Sequence, residues 1–279
     1  MSTRLRAIAT ETLAVLDAGA YTAPSGAVVP LAPLVSAAVA GTVLHLPGSP
    51  LPAPSGDGRP AIVEVTGEST LSAARRLARD GPVAALVFAS AKNPGGGFRT
   101  GAQAQEESVA RASALFPCLT AVPEFYEFHR AQGDLLYSDR VIYSPGVPVF
   151  RDDKGRFLEE SHAVSMLTAA APNRGAIARD QPASADRIDA VLAARARRVL
   201  DVAATHGERR LVLGAWGCGV FRNTPAVVAD AFATALDAMP GHFDHVVFAV
   251  LDRDPAPIRA AFTARLGGPP PGRGPKPAG

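Results

Sequence analysis

Cysteine is nearly absent from this 279-residue chain. Cys118 and Cys218 are the only two, too few for a disulfide framework or a cysteine-rich zinc site. Lysine is almost as scarce, limited to Lys92, Lys154 and Lys276, so arginine carries the positive charge. We read that as compositional bias rather than as phosphate recognition. A formal net charge of +2 supplies no global basic field that would demand a nucleic acid. No window approaches the roughly 18 continuous apolar residues of a membrane span. Glu11 and Asp17 interrupt any signal-like core in the opening MSTRLRAIATETLAVLDAG. What is plentiful is apolar material, 47% hydrophobic against 19% charged, which is ample for a globular core. A cytoplasmic enzyme or binding protein is expected, with no membrane and no obligate protein partner.

The chain divides by pattern. Residues 5–19 carry apolar positions at helical spacing, and residues 30–44 suggest a second, less regular helix. LPGSPLPAPSGDGRP, residues 46–60, is turn and linker chemistry. The expected organisation is therefore an N-terminal helical extension and linker over 1–60 and a main domain over 61–266. The Gly/Pro-rich residues 267–279 are expected to form a flexible tail. In the main domain short apolar runs predict strands at 61–65, 82–90, 140–144, 163–171, 209–216 and 245–251. Helices are expected at 70–80, 105–116, 186–205, 225–239 and 255–266. This alternation implies an α/β layered domain with a largely parallel sheet.

Two glycine-rich loops follow strands and precede helices: AKNPGGGFRTGAQA before Gln105, and GAWGCGVFRNTP before Pro225. Ligands of open α/β sheets sit at such places, and backbone amides free of side chains approach a diphosphate closely. Neither loop ends in Gly-Lys-Ser/Thr, and neither completes a Gly-x-Gly-x-x-Gly fingerprint, so nucleotide-triphosphate and dinucleotide chemistry are disfavoured. Glu106 and Glu107 are adjacent on a helix, about 100° apart. They cannot flank one bond as an ordinary glycosidase pair does. Either they are first-turn carboxylates favoured by the helix dipole, or one does acid–base work while the other anchors a hydroxyl or the loop.

Gly95, Gly96 and Gly97, then the seven residues FRTGAQA, then Gln105, Glu106 and Glu107, resemble the signature of the poly(ADP-ribose) glycohydrolases, closest to the microbial branch. RAIATETLAVLDAGAY, VIYSPGVPVFRDD, AAAPN and GAWGCGVF are similar to that group too. The resemblance implies a macrodomain-like three-layer α/β/α sandwich with a mixed, mostly parallel sheet, binding ADP-ribose across the strand ends. It implies Glu107 as catalytic acid and Glu106 on the ribose hydroxyls. Gln105 would hold the helix start, and Asn93 and the three glycines would hold the distal ribose. Gly217, Cys218, Gly219 and Val220 would offer amides to the diphosphate, with Phe221 against ribose or adenine. A glutamate partly desolvated beneath the diphosphate loop would hold a raised pKa and protonate the leaving oxygen. No cofactor or metal is implied, and His242 and His245 lack a third partner.

The implied substrate is poly(ADP-ribose) or ADP-ribose on modified protein. The same machinery could serve single units on protein carboxylates or DNA bases, and a non-catalytic ADP-ribose reader is the third class. Glu68 and Ser69 could reach the adenine, although Ser69 or Thr70 serves equally as a helix cap. Plain structural roles are expected elsewhere. Cys218 and Trp216 would pack, SPGVPVFRDD would turn with Phe150 buried and Arg151 paired to Asp152 or Asp153, and Arg195, Arg197 and Arg198 would form a solvated helix face.

Overall fold

The computed structural model describes residues 2–51 and 56–267. Residues 268–279 of the expected 267–279 tail and part of the linker lie outside the described residues. The chain begins with α1 (Thr3–Ala18), opened by the Ser2 side chain and closed by Gly19 in the left-handed region. The hairpin β1 (Ala20–Thr22) and β2 (Val28–Pro30) leads to α2 (Ala32–Ala40) and β3 (Val43–His45). Next come β4 (Ile62–Thr66), α3 (Thr70–Leu77), β5 (Ala84–Phe88) and α4 (Gln105–Ala112). Two further helices, α5 (Leu115–Thr120) and α6 (Pro123–Ala131), precede the long antiparallel pair β6 (Val141–Arg151) and β7 (Phe157–Ala169). The remainder is α7 (Arg174–Asp180), α8 (Ile188–Thr205), β8 (Arg210–Gly214), α9 (Pro225–Asp237), β9 (His245–Ala249) and α10 (Pro257–Leu266).

The main sheet has the order β3-β6-β7-β5-β8-β9-β4, with β7, β5, β8, β9 and β4 mutually parallel. Alternate residues of each parallel strand enter different cores, as a two-residue period requires. Ala84, Leu86, Leu211, Leu213, Val246 and Phe248 pack towards α8, α9 and α10, against Leu192, Val199, Phe232 and Phe262. Ala85, Val87, Val212 and Val247 pack on the other face against Leu77, Val109, Leu115 and Phe125. Both faces are dry, which is why these strands read as unbroken apolar runs. The result is the expected three-layer α/β/α sandwich. Among the described residues no helix is long and apolar enough to cross a membrane.

Four expectations are corrected. The boundary near residue 60 is not one the sheet respects, because β3 pairs antiparallel with β6 and forms an edge of the main sheet. The helix expected over 105–116 breaks at Ser113, which is extended, bridges Val149 and lets α5 restart. Pro117 then falls in the first turn of a new helix, where its missing N–H costs little. SPGVP is not a turn but a bulge inside β6, with the register slipping between Ser144 and Val147. Arg151 pairs with Glu11 at 2.8 Å, while Asp152 pairs with Arg156 and Asp153 accepts from Ser69 and Ser72.

Arg195 is the fourth. It is 2% exposed, pairs with Asp139 at 2.8 Å and donates to the carbonyls of Leu136 and Ala170. Only Arg197, paired with Asp201, and Arg198, donating to Leu46 and Ser49, sit on the outer side. Replacing Arg195 with methionine strands those two carbonyls without donors, and we expect a loss of about 3 kcal/mol. Chemical denaturation checks this, and an unchanged midpoint would show the network to be dispensable.

Candidate functional site

The carboxyl ends of the parallel strands open into one cleft of about 970 Å³, within the usual range for a small-molecule site. The residues following β5 supply Ser90, Asn93, Gly96 and Gly97, and α4 supplies Gln105, Glu106 and Glu107. The neighbouring loop after β8 supplies Ala215 to Phe221 in sequence order. Residues after β4 and β9, including Glu68, Ser69 and Leu251, close the far end. The two glycine loops thus meet because β5 and β8 are adjacent parallel strands.

The first loop folds back onto the helix it precedes. Glu106 is 2% exposed, and both its oxygens are engaged, Oε2 accepting from Ser90 N–H at 2.6 Å and Oε1 from Gly95 N–H at 3.1 Å. Glu107 is half-buried, and its Oε1 accepts from Gly97 N–H at 3.0 Å. Gly96 lies between them at φ +56°, where a Cβ would collide with the Glu107 carboxylate and crowd Glu106. Glycine there is a steric demand of the carboxylates as much as of the turn. Gln105 spends its amide inside the protein: its oxygen accepts from Phe88 N–H at 2.9 Å, and its nitrogen donates to the Leu86 carbonyl and to Thr70. It locks α4 to the end of β5, with no N–H left over for a ligand.

Desolvation lifts the Glu106 carboxyl well above the ordinary glutamate value, and the charge of Glu107 adds to this, while the Ser90 and Gly95 amides act the other way. The raised carboxyl that burial creates is thus the anchored one.

In the second loop, Cys218 N–H donates to the Ala215 carbonyl at 3.0 Å and is already used, contrary to its expected place on a diphosphate. The N–H groups of Gly219, Val220 and Phe221 have no acceptor among the described residues, and Val220 is 79% exposed. All three residues line the cleft, and a run of unengaged backbone N–H groups is an arrangement that can receive a diphosphate. Gly217 sits at φ +70°, where a Cβ would collide with Asn223 and Ala171. Burial pushes the Cys218 thiol up to about 12, which leaves no thiolate nucleophile and agrees with a packing role. Trp216 is buried and donates from its indole to the Ala169 carbonyl, so it too packs.

Other expected residues are placed as follows. Phe221 lies at the cleft with its ring 6.0 Å from that of Tyr137. Asn93 is exposed, its carbonyl accepting from Gly96 N–H at 3.0 Å. Ser69 caps α3 and donates to Asp153 at 2.7 Å, while Glu68 is paired with Arg76 at 2.8 Å, which lowers its pKa. His245 pairs with Glu64 away from the cleft. Sequence reasoning missed Ser90, whose N–H is an anchor for Glu106, because a serine ending a strand carries no distinguishing pattern.

A family model, microbial-type PARG, catalytic domain, matches residues 9–152. A poly(ADP-ribose) glycohydrolase structure from Thermomonospora curvata is 54% identical, with a TM-score of 0.89, covering 95% of this chain and 100% of that one. The Thermomonospora curvata glycohydrolase bound to the inhibitor ADP-HPD is 53% identical with the same coverage and a TM-score of 0.87. A Deinococcus radiodurans poly(ADP-ribose) glycohydrolase in complex with ADP-ribose is 45% identical, with a TM-score of 0.76, over 83% of this chain and 96% of that one. No curated protein compared with the chain matches it.

An unfolded chain ionises Glu106 near its ordinary value of 4.5, the folded one only at higher pH. The native state holds the extra proton in that window, so this group's contribution to stability falls as pH rises through it. The stability of Glu106→Gln relative to wild type should therefore grow more favourable from about pH 4.5 upward. Thermal melts across pH check it, and a pH-independent difference would contradict the burial argument.

Proposed function

The chain belongs to the microbial-type poly(ADP-ribose) glycohydrolase family, and from that premise we propose that it hydrolyses poly(ADP-ribose), with Glu107 as the acid that releases ADP-ribose. The observation that carries the choice of Glu107 is the unequal engagement of two neighbouring carboxyls. Both oxygens of Glu106 are held by backbone amides, whereas Glu107 is held through Oε1 alone, and among the described residues Oε2 has no donor. One carboxyl is built into the loop, and the other has an oxygen left for a substrate.

In this reading ADP-ribose lies along the strand ends, with its diphosphate on the free N–H groups of Gly219, Val220 and Phe221 and its distal ribose against the Gly95, Gly96 and Gly97 loop and Asn93. Glu107 protonates the glycosidic oxygen as the anomeric carbon gains oxocarbenium character, and its carboxylate then takes a proton from the attacking water. Glu106 keeps the loop folded and has remaining lone pairs for the ribose hydroxyls, while Gln105 fixes the helix start. The cleft is complete without Cys218 as a donor or nucleophile. The acidic pair beside a dianionic ligand argues for hydrolysis rather than reading alone, since binding gains nothing from it.

The test is release of free ADP-ribose from poly(ADP-ribose) by wild type and by Glu107→Gln. Loss of a general acid should lower kcat by about 10²- to 10⁴-fold, with ADP-ribose still bound by calorimetry. Wild-type turnover by Glu107→Gln would overturn the assignment. Mono-ADP-ribosylated protein and ADP-ribosylated DNA, run alongside, separate the polymer from single-unit acceptors.

A further inference from the structure

We propose that α1 is part of the catalytic apparatus, setting the position of the glycine loop and of the Glu106–Glu107 turn, with Thr12, Phe98 and Arg111 as positioning residues. This rests on hydrolysis at Glu107. A helix ahead of a sandwich would ordinarily brace the sheet. Here α1 meets β6 through Leu16 and Glu11, and it also packs on the loop and on the helix that carry the carboxyls.

Three contacts make the connection. Phe98 directly follows the three glycines, yet its side chain is fully buried among Ala9 and Leu13 of α1 and Ala110 and Phe116, with the Phe116 ring centroid 5.1 Å away. A large ring driven into a neighbouring helix is what pins an otherwise entropically costly glycine run. At the far end of the loop, Ser2 N–H donates to the Gly101 carbonyl at 3.1 Å. A Cβ on Gly101 would collide with the Ser2 carbonyl, so the start of α1 and the loop are in direct backbone contact.

The third contact is polar and buried. The Thr12 hydroxyl donates to the carbonyl of Arg111, in the last turn of α4, at 2.6 Å and accepts from Arg151 Nε at 3.2 Å. Arg111 is itself 5% exposed and donates back to the Ala102 carbonyl in the loop at 2.6 Å. Among the described residues no carboxylate lies within ion-pair distance of it. Burying such groups costs free energy unless each finds its partner, so this node has one favourable geometry. Helix α4 has only eight residues, about 12 Å of rigid rod. Holding its last turn at Thr12 therefore fixes the height of Glu106 and Glu107 in its first.

Helix α1 also contacts the β6–β7 hairpin beside the cleft rim. Arg4 donates to the Lys154 carbonyl at 2.6 Å, and Ile8 packs on Gly155 at the tip of the β6–β7 hairpin. That tip reaches the cleft rim through Asp153, which accepts from Ser69 and Ser72.

The test compares wild type with Thr12→Val, Thr12→Ser and Phe98→Leu in the full chain. Poly(ADP-ribose) turnover and ADP-ribose affinity are measured well below each melting midpoint. Misplacement of the acid by a fraction of an ångström to an ångström should lower kcat by about tenfold to a hundredfold in Thr12→Val and Phe98→Leu. KM and the ADP-ribose Kd should change less than kcat, because the diphosphate amides lie on the other loop and only the distal ribose rests on this one. Thr12→Ser, which keeps the hydroxyl, should restore kcat. Unchanged kcat in both variants, or kcat and affinity lost together without rescue by Thr12→Ser, would overturn the proposal. Inactive wild type would instead overturn the functional reading itself.

Discussion

The site depends on a fold-back: backbone amides of the glycine loop donate to the carboxylates of the helix that the loop introduces. Ser90 and Gly95 hold Glu106, and Gly97 holds Glu107. Two adjacent carboxyls buried together are electrostatically unfavourable, and hydrogen bonds from fixed N–H groups oppose that cost, although at Glu106 desolvation outweighs them. Because those donors are backbone, no side chain needs to be spent on them, and the loop must be glycine where it touches the acids. Gly96 shows the constraint most directly, since any Cβ would stand in the place of the Glu107 carboxylate.

Sheet topology brings the rest to this point. A parallel sheet sends successive loops out of the same end, and β5 and β8 are neighbours, so the acid-bearing loop and the loop with free amides share a cleft. Each loop is then locked from behind. Gln105 ties α4 to β5, Phe98 plugs the first loop into α1, and Trp216 and Asn223 hold the second through the Ala169 and Pro172 carbonyls. In the proposed reading the chemistry falls to groups with no partner among the described residues, one carboxyl oxygen and a short row of N–H donors.

Much of this was legible in the sequence because it is local. Strands dry on both faces appear as apolar runs, and glycine loops between strand and helix announce a ligand site whatever its identity. What escaped was non-local. β3 is three residues long and earns its place only by pairing with β6, about 100 residues further on. Arg195 sits among arginines that look alike, and its burial depends on Asp139 and two carbonyls distant in the chain. Ser113 ends a helix because Val149 offers it a bridge, not because its own propensity demands it. The inequality of Glu106 and Glu107 is of the same kind, since helical spacing separates the two but does not say which one the loop will claim.

A crystal structure of Glu107→Gln with a dimer of ADP-ribose units bound would show which of the two carboxyls meets the scissile bond. The glycosidic oxygen between the units is expected within about 3.2 Å of the side chain at position 107, and the diphosphate on the amides of Gly219, Val220 and Phe221. A glycosidic oxygen resting on Glu106, or a diphosphate held elsewhere, would contradict it.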